Sequence, residues 1–352
     1  MDARTTWPAL LGALIRGDSL TADESEWAMN EIMDGAATSA QIAGFGVALR
    51  IKGTSVAEMT GLARAMLAHA TPISIPGPLT DLVGTGGDRA HTVNISTMGT
   101  IVAAAAGARM VKHGNRAASS ACGAADVLEA LGVVIDLPPA ATQQLAAEVG
   151  IAFLFASKYH PALRYAGPTR SELGVPTVFN FLGPVANPAG PSALAVGVFD
   201  PAMAEIIAGV LAGRGCSALV FHGSDGLDEL TTTGPSIVWV VHDGQVSRTE
   251  FSPADLGLAP AALDDLRGGD AAHNAGVARA VLAGQPGPVR DIVLLNAAAA
   301  LAAAAGVPGP EALTAALADG YARAAQAVDS GAAIALLDRW VSVSRRLAGQ
   351  SG

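Results

Sequence analysis

Three scarcities frame this chain. Only two of its 352 residues are cysteine, Cys122 and Cys216, and they form no CxxC pair, which excludes a disulfide-stapled framework. Lysine occurs only at Lys52, Lys112 and Lys158, so arginine supplies the rest of the 21 basic residues and a lysine inside a motif is informative. Apolar runs stop short of the ~20 residues a membrane span needs. The most lipid-like stretch, 292–307, carries Asn296, is mostly alanine and reads as a buried helix. The opening residues MDARTTWPAL lack the basic-then-apolar order of a signal peptide, so the reducing cytoplasm is the expected compartment and no membrane partner is expected. Against the 21 basic residues stand 31 acidic ones, a formal charge of −10 that repels nucleic acid at long range. No nucleic-acid partner is expected, and any anionic ligand needs a local positive site. No GxxxxGK[ST] loop and no HExxH motif occur, and HGSDG (222–226) has histidine where a nucleophile elbow needs glycine.

What is present is ample apolar material, with 51% hydrophobic and 15% charged residues, in a chain longer than one core usually organises. Three capping boxes punctuate the first seventy residues: Thr21 with Glu24, Thr38 with Gln41, and Ser55 with Glu58. They predict helices ending near Gly35, at Gly53 and before Pro72, hence a small all-helical N-terminal domain over 1–71. TPISIPGP (71–78) has linker composition. From residue 79 to 352 short apolar runs alternate with alanine-rich helical stretches, which predicts an α/β domain whose mainly parallel sheet is flanked by helices. The candidate strands are Asp81 to Val83, Arg109 to Val111, Val133 to Ile135, Ile151 to Phe155, Ala193 to Val198, Ala218 to His222 and Ile237 to His242. Ligands of such sheets sit where loops leave the carboxyl ends of strands, so the loops after Val83, Val111 and His222 are the ones to read.

After Val83 comes Gly84-Thr85-Gly86-Gly87-Asp88, whose three glycines let backbone N–H groups turn toward an anion. Its sixth position is Arg89, so it is not a GxGxxG fingerprint. Thr92 to Thr97 then opens a helix, with Ser96 and Thr97 placed to cap it, to meet a ligand at its positive end, or to do both. The next strand leads into Lys112-His113-Gly114-Asn115-Arg116-Ala117-Ala118-Ser119-Ser120, the local positive site that the net charge demands. The loop after His222 carries Asp228 and Glu229, adjacent carboxylates whose natural companion, if enclosed, is a hard divalent cation bridging to phosphate. Arg170 lies in Pro168-Thr169-Arg170-Ser171-Glu172, placed either to receive a carboxylate in bidentate fashion or to pair with Glu172. His160, before Pro161, reads as a structural histidine or as a ligand group with equal force.

Taken together, GTGGD, NIST, KHGNRAASS, the Arg170 segment with NFLGP (180–184), and DGLDELTTTGP (225–235) closely resemble the anthranilate phosphoribosyltransferase family, in the family's order, from about Trp7 to the final helix. The resemblance implies transfer of a 5-phosphoribosyl group from phosphoribosyl pyrophosphate to the amine of anthranilate, the second step of tryptophan biosynthesis from chorismate. It also implies a homodimer, and a small domain to which part of 165–190 contributes. By the same resemblance, Gly84, Gly87, Asp88, Thr92, Asn94, Ile95, Ser96, Thr97, the run Lys112 to Ser120 and Ala124 hold phosphoribosyl pyrophosphate. Two Mg2+ ions per subunit are implied, one on Ser96 and Glu229 and one on Asp228 and Glu229. Gly84, Asn115 and Arg170 contact anthranilate, with His113, His160 and Pro184 lining its path. The chain departs from the family pattern at Cys122, where serine is common, and at Ala124, where glycine or serine is, which removes any hydroxyl contact there.

No catalytic acid or base is assigned. An arylamine is already unprotonated at neutral pH and needs placement near the anomeric carbon more than a base. The neighbouring alternatives are a pyrimidine nucleoside phosphorylase, which needs no second anionic contact at Arg170, and a noncatalytic nucleic-acid-binding relative, which the charge of −10 disfavours.

Overall fold

In the computed structural model the described residues are 5–117 and 121–350, so Ala118, Ser119 and Ser120 of the expected phosphate loop lie outside them. Four helices open the chain: α1 (Trp7–Ile15), α2 (Ala22–Met33), α3 (Ser39–Lys52) and α4 (Val56–Ala68). The last three start at the capping boxes read from sequence, each with both reciprocal hydrogen bonds made. Glu58 does more than cap. Wholly buried, it accepts from the backbone N–H groups of Leu20 and Ser55 and from Lys52 Nζ at 2.9 Å, tying three segments together.

The α/β part runs β1 (Thr80–Gly84), α5 (Ile95–Ala105), β2 (Met110–Gly114), α6 (Ala124–Leu131), α7 (Pro139–Val149), β3 (Ile151–Phe155), α8 (Ala156–Tyr159), α9 (Gly167–Leu173), β4 (Ala193–Gly197), α10 (Pro201–Gly213), β5 (Ser217–Gly223), β6 (Ser236–His242), β7 (Gln245–Phe251), α11 (Ala271–Leu282), α12 (Pro288–Ala305), α13 (Leu313–Asp329) and α14 (Ala332–Gln350). The strands form one sheet in the order β3-β2-β1-β4-β5-β6-β7, parallel through β5 and antiparallel for the last two.

Two strand expectations need correction. Val133 to Ile135 is not a strand: it is irregular backbone whose apolar side chains join the core under α7, so burial without a pairing partner mimicked a strand signal. The edge strand β7 was missed because its residues Gln245 to Glu250 are largely polar and solvent-facing, as an edge tolerates.

Alternation along the strands divides the interior. Leu82, Ala195, Leu219 and Phe221 face the core beneath α5 to α7 and α11 to α14. Val83, Leu194, Val196 and Val220 face the opposite side, where they join a second core with α10 and with Met29, Phe45 and Met66 of α2, α3 and α4. The interior of the helical module, centred on α2 against α4, is thus continuous with that core through α10. The stretch read as a buried helix is one: Ile292 to Ala303 of α12 are buried, and Asn296 holds Leu230 by accepting from its N–H at 3.0 Å and donating to its carbonyl at 2.9 Å.

Candidate active site

The carboxyl ends of β1 and β4 lie side by side, closing on Gly84 and Gly197. The loop after β5 crosses directly over both. A Cβ on Gly197 would stand 1.6 Å from the carbonyl oxygen of Asp228, and one on Gly84 would stand 2.2 Å from its carboxylate. Glycine at these two positions is therefore what lets the acidic loop approach. The loop is anchored from behind by Asn296 and from within by Asp225, which accepts from the hydroxyls of Thr231 and Thr233, each at 2.6 Å. Asp228 and Glu229 are left only 8% exposed.

Four of the six residues from Gly86 to His91 have positive φ, including the non-glycines Arg89 and His91. Backbone in this region carries strain that the surroundings must offset. The turn delivers the Gly86 N–H to Asp228 Oδ2 at 2.6 Å, while Asp88 accepts from Ala90 N–H. Thr92 bridges to Arg267. Asn94 is the N-cap residue of α5 without a side-chain capping bond; its amide donates to the Cys122 carbonyl and accepts from Asn274. Ser96 and Thr97 are accordingly inside the helix, behind its cap. The Ser96 N–H donates to Glu229 at 3.2 Å, and Thr97 is buried. Ile95 joins the core beneath the sheet.

Lys112, expected at the end of its strand, sits within β2 and is 2% exposed. Its Nζ donates to the Leu82 carbonyl at 2.7 Å and to Ser96 Oγ at 3.1 Å. Burial pushes its pKa down, and Asp81, Glu229 and Asp228 oppose that push. The acids respond in the reverse sense. Burial, reinforced by Asp88, raises Asp228 to about 8, with the Gly86 N–H opposing. Burial and then Asp228 raise Glu229 well above the ordinary value, with Lys112 opposing. Fully ionised, Asp81, Asp228 and Glu229 would outnumber the one ammonium in a buried pocket, and their raised pKa values answer that shortage of positive charge. Among the described residues no three His, Cys, Asp or Glu side chains gather as a metal site. The available donors are instead two carboxylates and the Ser96 hydroxyl, an all-oxygen set that a hard divalent ion completes with water and phosphate.

Beyond Lys112 the site residues part company. His113 is buried, meets the Gly183 carbonyl through Nδ1 at 3.2 Å, and is pushed down to about 3 by burial, so its ring is neutral. Gly114 ends β2, facing Phe153 and Ala124. Asn115 accepts from Arg116 N–H and from Ser157 Oγ. Arg116 turns outward, clamped by Asp126 and Glu129, and the Ala117 N–H also donates to Asp126. Asp126, which sequence reasoning passed over, thus shapes the loop; a carboxylate two residues into a helix behind Gly123 was the available signal.

Arg170 stands on α9, which packs on α3 of the helical module. It is not paired with Glu172: among the described residues no carboxylate lies within ion-pair distance, and burial alone lowers its pKa. Its guanidinium centre lies 5.9 Å from the Phe179 ring centroid. His160 is 1% exposed, bonds the Ala186 carbonyl at 2.8 Å and meets His113 edge-on with centroids 5.1 Å apart. Pro184, also buried, lies between those two carbonyl contacts in the chain. The fold therefore brings His113 and His160 together, each bonded to the 183–186 segment that carries Pro184, and gathers Gly84, Ser96, Lys112, Asp228 and Glu229 at the strand ends.

Comparison with known proteins agrees along the whole length. The glycosyl transferase family a/b domain matches residues 76–334, and the glycosyl transferase family helical bundle domain matches residues 8–70. The chain is 64% identical over 345 residues to the anthranilate phosphoribosyltransferase of Thermobifida fusca (strain YX), covering 98% of this chain and 99% of that relative. Its fold matches the crystal structure of anthranilate phosphoribosyltransferase from Thermus thermophilus with a TM-score of 0.88 at 41% identity, covering 95% and 99% of the two chains. It also matches the Saccharomyces cerevisiae anthranilate phosphoribosyltransferase in complex with PRPP and Mg, with a TM-score of 0.85 at 25% identity over 98% and 99%.

Proposed function

The chain belongs to the anthranilate phosphoribosyltransferase family, and from that premise we propose how its residues divide the work. The reaction transfers the 5-phosphoribosyl group of phosphoribosyl pyrophosphate to the amine of anthranilate, in tryptophan biosynthesis. The bond from ribosyl C1 to pyrophosphate oxygen breaks, a bond from C1 to nitrogen forms, and the amine gives up one proton. This reading displaces both the phosphorylase and the nucleic-acid-binding alternatives.

The observation that carries the assignment of roles is the convergence of the Gly86 N–H on Asp228 and of the Ser96 N–H on Glu229, with Lys112 Nζ held beside them on Ser96 Oγ. Lys112 and the inward N–H groups oppose the charge that builds on the departing pyrophosphate. We assign Mg2+ to the same loop, two ions per subunit, with Ser96 and Glu229 holding one and Asp228 and Glu229 the other. The pKa values of the two acids, raised by burial, support a cation as their missing partner. When bound, Mg2+ supplies the remaining neutralisation of the diphosphate. Gly84, Gly87, Asp88, Thr92, Asn94, Ile95, Thr97, the Lys112-to-Ser120 run and Ala124 complete the donor-substrate side.

On the acceptor side Arg170 receives the anthranilate carboxylate, with Gly84 and Asn115 as further contacts. The neutral His113, His160 and Pro184 form an uncharged wall that does not compete for that anion. We assign dimerisation to the helical module, where Ile15 at the end of α1 and Ile51 in the last turn of α3 leave 79% and 81% of their surface exposed. The two-domain division (1–71 with part of 165–190, and 79–352) and a cytoplasmic location complete the reading.

The test is fluorimetric. With purified protein, Mg2+ and both substrates, anthranilate emission should decay and should stop decaying on addition of EDTA. A flat trace under all conditions refutes the reading.

A further inference from the structure

Asp81 is a fully buried acid inside β1, one residue before the carbonyl that receives Lys112. Asn187, 4% exposed, lies in the segment that follows Pro184. A single amide nitrogen, Asn187 Nδ2, donates to Asp81 Oδ2 at 2.8 Å and to the Val111 carbonyl of β2 at 2.8 Å. The Asn187 oxygen accepts from Ala189 N–H at 3.0 Å, which fixes which way the amide faces. Just upstream, the Gly183 and Ala186 carbonyls orient His113 and His160. The bonds from Asn187 pin this segment to β1 and β2, the two strands that carry Gly84 and Lys112, alongside the His113 contact to Gly183 and the bond from Arg214 to the Val185 carbonyl.

We propose that the buried Asp81–Asn187 pair is a positioning element that fixes the Gly183-to-Ala186 wall against the ends of β1 and β2, and so sets where the anthranilate amine stands relative to ribosyl C1. Asp81 and Asn187 touch neither substrate in this account; they act through Pro184, His113 and His160. The inference rests on the functional reading above, since it takes that wall to line the acceptor's path. A buried acid inside a strand is costly unless it is hydrogen-bonded, and here the side chain that meets its Oδ2 is an amide that reaches no other side chain. Burial raises Asp81 to about 6, against the opposing charge of Lys112 and the Asn187 bond, in keeping with a group enclosed by the fold.

The experiment compares Asp81→Asn with Asp81→Ala. Both remove the same charge beside Lys112, but only Asp81→Asn keeps an oxygen that can accept from Asn187, so their difference isolates the hydrogen bond. The anthranilate KM should be about tenfold higher in Asp81→Ala than in Asp81→Asn. Asn187→Ala, which loses both bonds, should raise the anthranilate KM at least about tenfold while the phosphoribosyl pyrophosphate KM stays within about twofold. Thermal melting shows which variants fold, and the Asp81 pair decides if Asn187→Ala does not. Equal anthranilate KM values in the two Asp81 variants, or parallel rises in both substrate KM values in Asn187→Ala, overturn the proposal. Absence of turnover by the unsubstituted chain in the same assay would overturn the functional reading itself, whereas turnover with no split between variants overturns the positioning role alone.

Discussion

Replacing Arg170 with alanine separates what the residue does for the fold from what it does for a ligand. Its guanidinium is half-buried with no carboxylate partner among the described residues, and burial alone depresses its pKa. The one compensating contact, to the Phe179 ring at 5.9 Å, contributes about 0.5–1 kcal/mol. Removing the side chain forfeits that contact and relieves the desolvation, so folding stability should change by no more than about 1 kcal/mol. Binding is different. Charged hydrogen bonds contribute about 1.5–3 kcal/mol each, so losing a bidentate grip on a carboxylate should cost roughly 2–4 kcal/mol. That corresponds to a fall of about 30- to 1,000-fold in kcat/KM for anthranilate. The assay is steady-state fluorescence decay with each substrate varied in turn, alongside thermal melting. An equal rise in the KM of phosphoribosyl pyrophosphate would refute the assignment. A melting loss of several kcal/mol would refute the claim that the charge is held in reserve for a ligand.

Gly197→Ala should displace the acidic loop, because its Cβ would lie 1.6 Å from the Asp228 carbonyl. Overpacking of this kind costs about 1–3 kcal/mol, and a Mg2+ titration of activity should shift to higher concentration; an unshifted titration counts against the loop as the cation site. Apparent Mg2+ affinity of the free chain should climb with pH through about pH 8, where Asp228 ionises, with the raised Glu229 adding to the climb, as calorimetry can show; an affinity independent of pH across that range would contradict it. The linked stability has a definite sign. With its folded pKa raised from 3.8 to about 8, Asp228 contributes stability that is complete below 3.8 and lost as pH rises through 8, so the metal-free chain should melt progressively lower across that window. A melting temperature that rises there in the absence of metal would contradict it. Finally, Ile15→Asp with Ile51→Asp should convert a dimer to a folded monomer by light scattering, with near-wild-type helicity; an unchanged mass would move the interface elsewhere.

Local signals were legible in the sequence. The three capping boxes act within four residues of chain, and each helix begins where its box stands. The glycine-rich turn and the acidic doublet were legible as types because their chemistry is unusual, but their meeting depends on tertiary placement that Gly84 and Gly197 permit. Long-range partners were not legible. Arg116 joined the phosphate cradle by motif, yet its side chain is held by Asp126 and Glu129 from the following helix. Asn296 stood out as a polar residue in an alanine helix, but only the fold reveals Leu230 as what it holds. Asp81 and Asn187, 106 positions apart, gave no pattern at all. Val133 to Ile135 looked like a strand because apolar content reports burial, while strand formation also requires a neighbour to pair with.

The apolar interior that α2 to α4 hold in common with one face of the sheet bears on how the chain can be cut. A fragment starting at the proline-rich connector would strip α10 and the 178–181 turn of the helices α4 and α3 that pack on them, and the detached helices would lose the surface they were built to cover. Exchange of the front module between relatives would therefore succeed only when its inward-facing side chains travel together with those of α9, α10 and the 178–181 turn, so the sensible unit for grafting is a matched pair of surfaces rather than a stretch of sequence.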